Sequence, residues 1–164
     1  MRPSSDYPKS SSVPPFIKRF LLATFLFGAL GTGVELALME HFESFWQQIP
    51  LWLIGISLLA VVLHNLFRRV RLILRGFQVL TLLLAIGGLL GVYLHFNGKA
   101  EFQKEIDPSL SGWELVWQCL HGHTLPPVLA PGSMILLGMI GFAYARCCSK
   151  DRVDLRHAAV ESDK

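Results

Sequence analysis

Four long apolar runs constrain the fold of this chain more than any other feature. They lie at about residues 20–39, 49–67, 72–96 and 125–145. Each is close to the roughly 20 residues that an α-helix needs to cross about 30 Å of hydrocarbon. Because lipid offers no hydrogen bonds, a spanning segment must satisfy its own backbone, as a helix does. The runs therefore predict an all-α integral membrane protein with four spans.

Composition excludes a soluble domain. The chain of 164 residues is 52% hydrophobic and only 16% charged, which leaves too little polar surface to cover a globular core. The first run follows Lys18 and Arg19, as a signal peptide would. It is too long for that role and no small-residue cleavage site ends it, so we interpret it as a retained span.

The distribution of basic residues predicts the orientation of the spans. Thirteen of the 15 Lys and Arg residues lie in the N-terminal tail, the turn between spans two and three, or the C-terminal tail; the other two are Lys99 and Lys104. Since basic residues accumulate on the cytoplasmic side, both termini are expected in the cytoplasm, with outer loops at 40–48 and 97–124. The short loops favour the bacterial inner membrane.

The remaining segments complete the domain plan. Residues 1–15 are rich in Ser and Pro and predict a disordered cytoplasmic tail, residues 16–148 form the four-span membrane domain, and residues 149–164 form a polar cytoplasmic tail. In the second outer loop four apolar residues share one helical face, which predicts a short amphipathic helix at the membrane surface: Trp113, Val116, Trp117 and Leu120.

Small residues recur at helical spacing along every span. In lipid, helices associate where small side chains let backbones approach and polar groups bond across the contact. The stripes predict an antiparallel four-helix bundle in which these residues face inward: Gly28, Gly31 and Thr32 on span one, Ser57 and Ala60 on span two, Gly88 and Gly91 on span three, and Gly138 and Gly141 on span four.

Glu35 is an ionisable residue within the first span, about one turn below its outer end. It belongs to the same stripe as Gly31, so it is expected to face protein, with His95 at the outer end of span three as its partner. Such a pair could relay a proton or bind a cation. The simpler interpretation is that Glu35 is a hydrogen-bonding group between packed helices.

Several histidines fall on the predicted outer side near Glu35, and with that carboxylate they are candidate ligands of zinc, copper or iron: His41, His95, His121 and His123. Their spacing matches no closed zinc motif, so no cofactor is predicted, and a transition metal or haem remains an alternative. His64, near the cytoplasmic end of span two, is expected to be an interfacial imidazole.

Three classes of function follow from these residues. Motifs for phosphate loops, dinucleotide binding, zinc proteases and redox dithiols are absent from the sequence, so nucleotides and nucleic acids are not expected as partners. The first hypothesis is a non-catalytic accessory or interaction subunit, which binds other membrane proteins or itself within the lipid bilayer. The second is a proton- or cation-coupled carrier or channel component using Glu35 and His95. The third is a metal- or haem-binding redox protein.

Overall fold

The computed structural model describes residues 13–40, 42–67, 70–121 and 129–162, and this part of the chain is all-helical. Its helices are α1 (Pro15–Leu38), α2 (Phe45–Leu66), α3 (Arg71–Ile106), α4 (Gly112–His121) and α5 (Leu129–Ser162). Helices α1, α2 and α3 and the Pro131–Asp151 part of α5 are long and apolar enough to span a membrane. The prediction of a four-span, all-α membrane protein is confirmed.

The four long helices form a closed ring in which each packs mainly on two neighbours. Helix α1 packs on α2, α2 on α3, α3 on α5, and α5 on α1. Gly88 of α3 lies beside Pro131, whereas Thr81, earlier in α3, lies beside Gly138, later in α5, so these two helices run antiparallel. An ion pair between Lys18 and Asp151 joins the start of α1 to the end of the α5 span.

Helices α2 and α3 begin or end outside their apolar runs for reasons that the local sequence explains. Helix α2 begins at Phe45, because Ser44 and Gln47 form a capping box: the Gln47 N–H donates to Ser44 Oγ, and the Ser44 N–H donates to Gln47 Oε1. Pro50 consequently lies inside α2. Helix α3 continues ten residues past the predicted end at 96, since helix-forming polar residues such as Glu101 and Lys104 extend it beyond the apolar run.

Helix α4 packs on the extended end of α3. Leu115 and Cys119 are buried there, against Phe96 and Ala100, while Trp113 and Trp117 remain exposed. The turn before α4 is closed by Asp107, whose Oδ1 accepts hydrogen bonds from the hydroxyl and the backbone N–H of Ser109. These bonds lower the pKa of the Asp107 carboxyl.

The structure describes the C-terminal segment almost completely but little of the N-terminal segment. The prediction of a tail at residues 1–15 lies almost wholly outside the described residues, which begin at 13. Helix α1 begins at Pro15. The predicted polar tail from 149 onward continues α5 as helix to Ser162. Hydropathy marks the membrane boundary, but it carries no signal for where a helix stops.

Candidate functional site

The closest helix contact lies between α3 and α5 and depends on glycine. A Cβ built on Gly138 would lie 2.5 Å from the Thr81 carbonyl oxygen and 2.6 Å from the Ala85 nitrogen. A Cβ on Gly88 would lie 2.6 Å from the Pro131 carbonyl oxygen. Backbone atoms cannot retreat from such overlaps, so these two positions require glycine while the helices keep this separation.

The other small residues assigned to packing mostly lie at helix contacts. Gly91 faces Pro131, Gly141 faces Phe25 and Thr81, and Gly28 faces Leu137. Thr32, Ser57 and Ala60 are buried, and the Thr32 hydroxyl donates to Ser133 Oγ across the α1–α5 contact at 3.3 Å. Gly31 differs, because no described atom lies within 4 Å of a Cβ built there.

Glu35 faces outward from the bundle, contrary to the prediction. The face of α1 that is buried carries Phe25, Ala29, Thr32 and Leu36. Gly31 and Glu35 are both exposed, and no described atom lies within 4 Å of a Cβ built on Gly31, so neither residue is packed in the core. The predicted inward stripe therefore holds at Gly28 and Thr32 but not at Gly31 or Glu35.

His95 and Glu35 do not form the predicted ion pair in the described part of the chain. Both side chains are exposed, and the ion pair found among the described residues is the one between Lys18 and Asp151. His95 instead lines an apolar cleft at the end of the bundle away from the termini, which is the predicted outer end, and the lining of this cleft does not include Glu35. The two groups thus belong to different surfaces.

That outer cleft has a volume of about 290 Å³ and opens between four helices. Helix α1 contributes Leu36, α2 contributes Trp46 and Gln47, and α5 contributes Pro131 and Met134. Helix α3 lines it with Gly87, Gly91 and His95. An apolar cleft with a few polar groups at its edge is the usual form of a small-molecule site.

The predicted outer metal cluster is only partly within the described residues. His41 and His123 lie outside them, and His121 stacks on Trp117 with ring centroids 3.6 Å apart. Across the residues that the structure describes, no three His, Cys, Asp or Glu side chains group as metal ligands. The metal or haem alternative therefore stays a prediction.

An aromatic layer crosses the bundle near the end that bears the termini. Each long helix contributes one ring, and the rings of Phe25 and Phe77 pack edge to face at 5.3 Å between centroids. Phe77 contacts Tyr144 at 6.2 Å, and Tyr144 contacts His64 at 6.5 Å. All four residues are buried.

His64 is therefore a buried member of this layer, two residues before the end of α2. Its helical spacing with Ser57 and Ala60, on the inward stripe of α2, agrees with this burial. Its neighbour Tyr144 was not singled out at all. Tyr144 lies three residues after Gly141 on the buried face of α5, and that spacing could have identified it.

Comparisons with protein-family models, with curated proteins and with solved structures found no match. Function is therefore inferred from the residues and their placement.

Proposed function

We propose that this protein is a non-catalytic accessory subunit of a membrane complex, and that it binds its partner through the outward face of α1. The observation that carries the proposal is the position of Glu35, an exposed carboxylate three residues before the end of a membrane-spanning helix. The partner is a helix of another membrane protein or a second copy of this chain.

An outward carboxylate is costly in lipid. A charged side chain at mid-bilayer costs roughly 2.5–3.5 kcal/mol on insertion scales, and less towards the headgroups. Within the described part of this chain no cation forms an ion pair with Glu35. A polar or basic group on a neighbouring helix would offset this cost, whereas lipid tails would not.

Gly31 supports the same face of α1. It precedes Glu35 by four residues, so the two lie one turn apart on one side of the helix. The space beside Gly31 is open, and glycine lets a second backbone approach closely enough for van der Waals contact and interhelical hydrogen bonds. The outward glycine and the outward carboxylate together form a surface on which a partner helix can pack.

The distribution of charge supports an orientation of the spans in the membrane. Among the described residues the end that bears the termini carries Lys18, Arg19, Arg71, Arg75, Arg146 and Lys150. The opposite end has Lys99 and Lys104. We infer that the termini lie in the cytoplasm. The short loops between the spans favour the bacterial inner membrane.

The test is assembly of a Gly31→Leu variant. Leucine at this position should lower the recovery of the partner, or of the dimer, at least fivefold in a mild-detergent purification from the native membrane, because the bulky side chain keeps the partner helix away. Native mass spectrometry would measure the ratio of complex to free chain and would separate a second copy from another protein.

Gly55→Leu is the matched control. Gly55 is also exposed, with no described atom near a Cβ built there, but it lies on α2. Assembly should be unchanged in this variant. Equal complex recovery for the wild type and both variants would refute an α1 interface, as would a wild-type chain that is entirely monomeric.

The outer cleft favours a second candidate function, a carrier or channel component that binds a small ligand beside His95. Four spans are few for a lone carrier, so this function requires association with further helices. Purified protein in lipid vesicles should then take up the small ligand in a pH-dependent manner, and a His95→Gln variant should lower that uptake. Uptake equal in both proteins would remove His95 from this role.

A further inference from the structure

We propose that the end of the bundle that bears the termini contains a binding site for a phosphate group, formed by Arg71, Arg75 and Ser149, and that an anionic lipid headgroup supplies the phosphate. Two arginines of α3 and a hydroxyl of α5 line one cavity of about 140 Å³ between these helices. Leu74 and Val153 complete its lining.

The two arginines are spaced to act together. Residues four apart on a helix have Cβ atoms roughly 5–6 Å apart, so both guanidinium groups can reach one tetrahedral anion. Arginine binds phosphate through paired N–H donors, and the Ser149 hydroxyl adds a further donor from the neighbouring helix. The cavity exceeds by several times the roughly 10–15 Å³ that a cavity needs to hold one water molecule, which leaves room for a phosphate group.

A second cavity extends the positive charge. It is lined by Val13, Arg146, Cys147, Ser149, Lys150 and Val153, and it shares Ser149 and Val153 with the first. No carboxylate among the described side chains lines either cavity, and Asp151 nearby is paired with Lys18. Four cationic side chains therefore surround two adjoining recesses.

The backbone at the start of α3 adds to the positive potential at the cavity. Arg71 is the first residue of α3, whose opening N–H groups carry the positive end of the helix dipole. In the described structure the N-cap Val70 offers these groups no side-chain hydrogen bond, and the first turn holds no acidic residue. An anion at the cavity would meet this uncompensated helix end as well as the arginines.

The depth of the site points to a lipid and not to a dissolved ion. Ser149 lies two residues before the end of the spanning part of α5, and Arg71 begins a span, so the cavity is at the level of the headgroups. On α3, Leu72 is exposed at the level of the arginines, and Val79 is exposed about one turn deeper. A lipid could place its phosphate on the arginines and its acyl chains along that apolar surface.

The experiment titrates delipidated full-length protein with phosphatidylglycerol and, separately, with phosphatidylcholine, and counts bound lipid by native mass spectrometry. An Arg71→Gln/Arg75→Gln variant should bind phosphatidylglycerol about tenfold more weakly than the wild type, since it loses the bidentate donors. The matched control, Arg19→Gln/Lys104→Gln, removes two exposed charges elsewhere and should change the affinity less than about twofold.

Further measurements distinguish a lipid phosphate from free phosphate, and a second variant covers the case in which the first does not fold. Inorganic phosphate at constant ionic strength should leave the melting temperature of the wild type unchanged if the site takes a lipid. A rise that the double glutamine variant lacks would show the same site taking free phosphate. If the glutamine variant does not fold, Arg71→Lys/Arg75→Lys, which keeps the charge but loses the planar fork, should weaken phosphatidylglycerol binding instead.

Equal phosphatidylglycerol affinity in the wild type and the arginine variants, with no response to inorganic phosphate, would overturn the proposal. So would equal binding of phosphatidylglycerol and phosphatidylcholine by the wild type, because the anionic charge would then contribute nothing. Neither result depends on whether α1 binds a partner helix, so this site and the proposed interface can fail separately.

Discussion

A Gly138→Leu variant should unfold with a free energy lower than that of the wild type by about 3 kcal/mol or more. Even a Cβ at this position would overlap the backbone of α3, at the Thr81 carbonyl oxygen and the Ala85 nitrogen. The helices must move apart to admit leucine, and in lipid that separation removes the van der Waals contact that holds them together. Unfolding in mixed detergent micelles, monitored through the loss of helicity, would measure the difference in free energy of unfolding.

Gly55→Leu again supplies the control. The same substitution is made on an exposed position of α2 where the space is open, so the free energy of unfolding should stay within about 0.5 kcal/mol of the wild type. If Gly138→Leu were equally harmless, the close α3–α5 contact could not be what stabilises the bundle.

Phe77→Ala should lower the free energy of unfolding by about 3 kcal/mol. Phe77 is completely buried and packs against Phe25 and Tyr144, so truncation opens a cavity at the centre of the aromatic layer. Since lipid is as apolar as the core, the loss comes from packing and not from transfer out of water.

The matched control is Phe27→Ala on α1. Phe27 is 84% exposed, so in the membrane its ring contacts mainly lipid in both the folded and the dissociated helices. This truncation should change the free energy of unfolding by less than about 0.5 kcal/mol. Comparable losses for the two phenylalanines would mean that a ring in the aromatic layer adds no more stability than a ring in contact with lipid.

Hydropathy was sufficient to find the spans, because the cost of unsatisfied backbone in lipid leaves helices as the solution for such long apolar runs. It was a poor guide to helix ends. The capping box at Ser44 starts α2 before Pro50, and polar helix formers carry α3 to Ile106, well past its apolar run. Those ends depend on local hydrogen bonds and propensity, which hydropathy does not measure.

The rotation of a helix about its axis could be predicted only where one face clearly carried smaller residues than the others. The glycines of α3 and α5 identified their contact, since Gly88 and Gly138 meet backbone atoms. On α1, Gly28, Gly31, Thr32 and Glu35 span a wide arc, and the sequence alone gave no reason to prefer Thr32 over Gly31 as the inward residue. The choice depends on which neighbouring side chains fill the space beside each position.

The candidate sites depend on contacts between distant parts of the chain. The cavity of Arg71 and Ser149 joins residues that are far apart in sequence, and the buried position of His64 depends on Tyr144. The arginines were recognised from the sequence only as markers of orientation. Their meeting with a hydroxyl on α5 required the folded bundle.

Cysteine labelling tests most directly the claim that four spans place both termini on the inner side. In a chain without its native cysteines, single cysteines would replace Ser109, in the predicted outer loop, and Lys150, near the end of the last span; both positions are exposed. A membrane-impermeant maleimide should label the cysteine at 109 in intact cells and the cysteine at 150 only after permeabilisation. Labelling of position 150 in intact cells, or of both positions from the same side, would contradict the account.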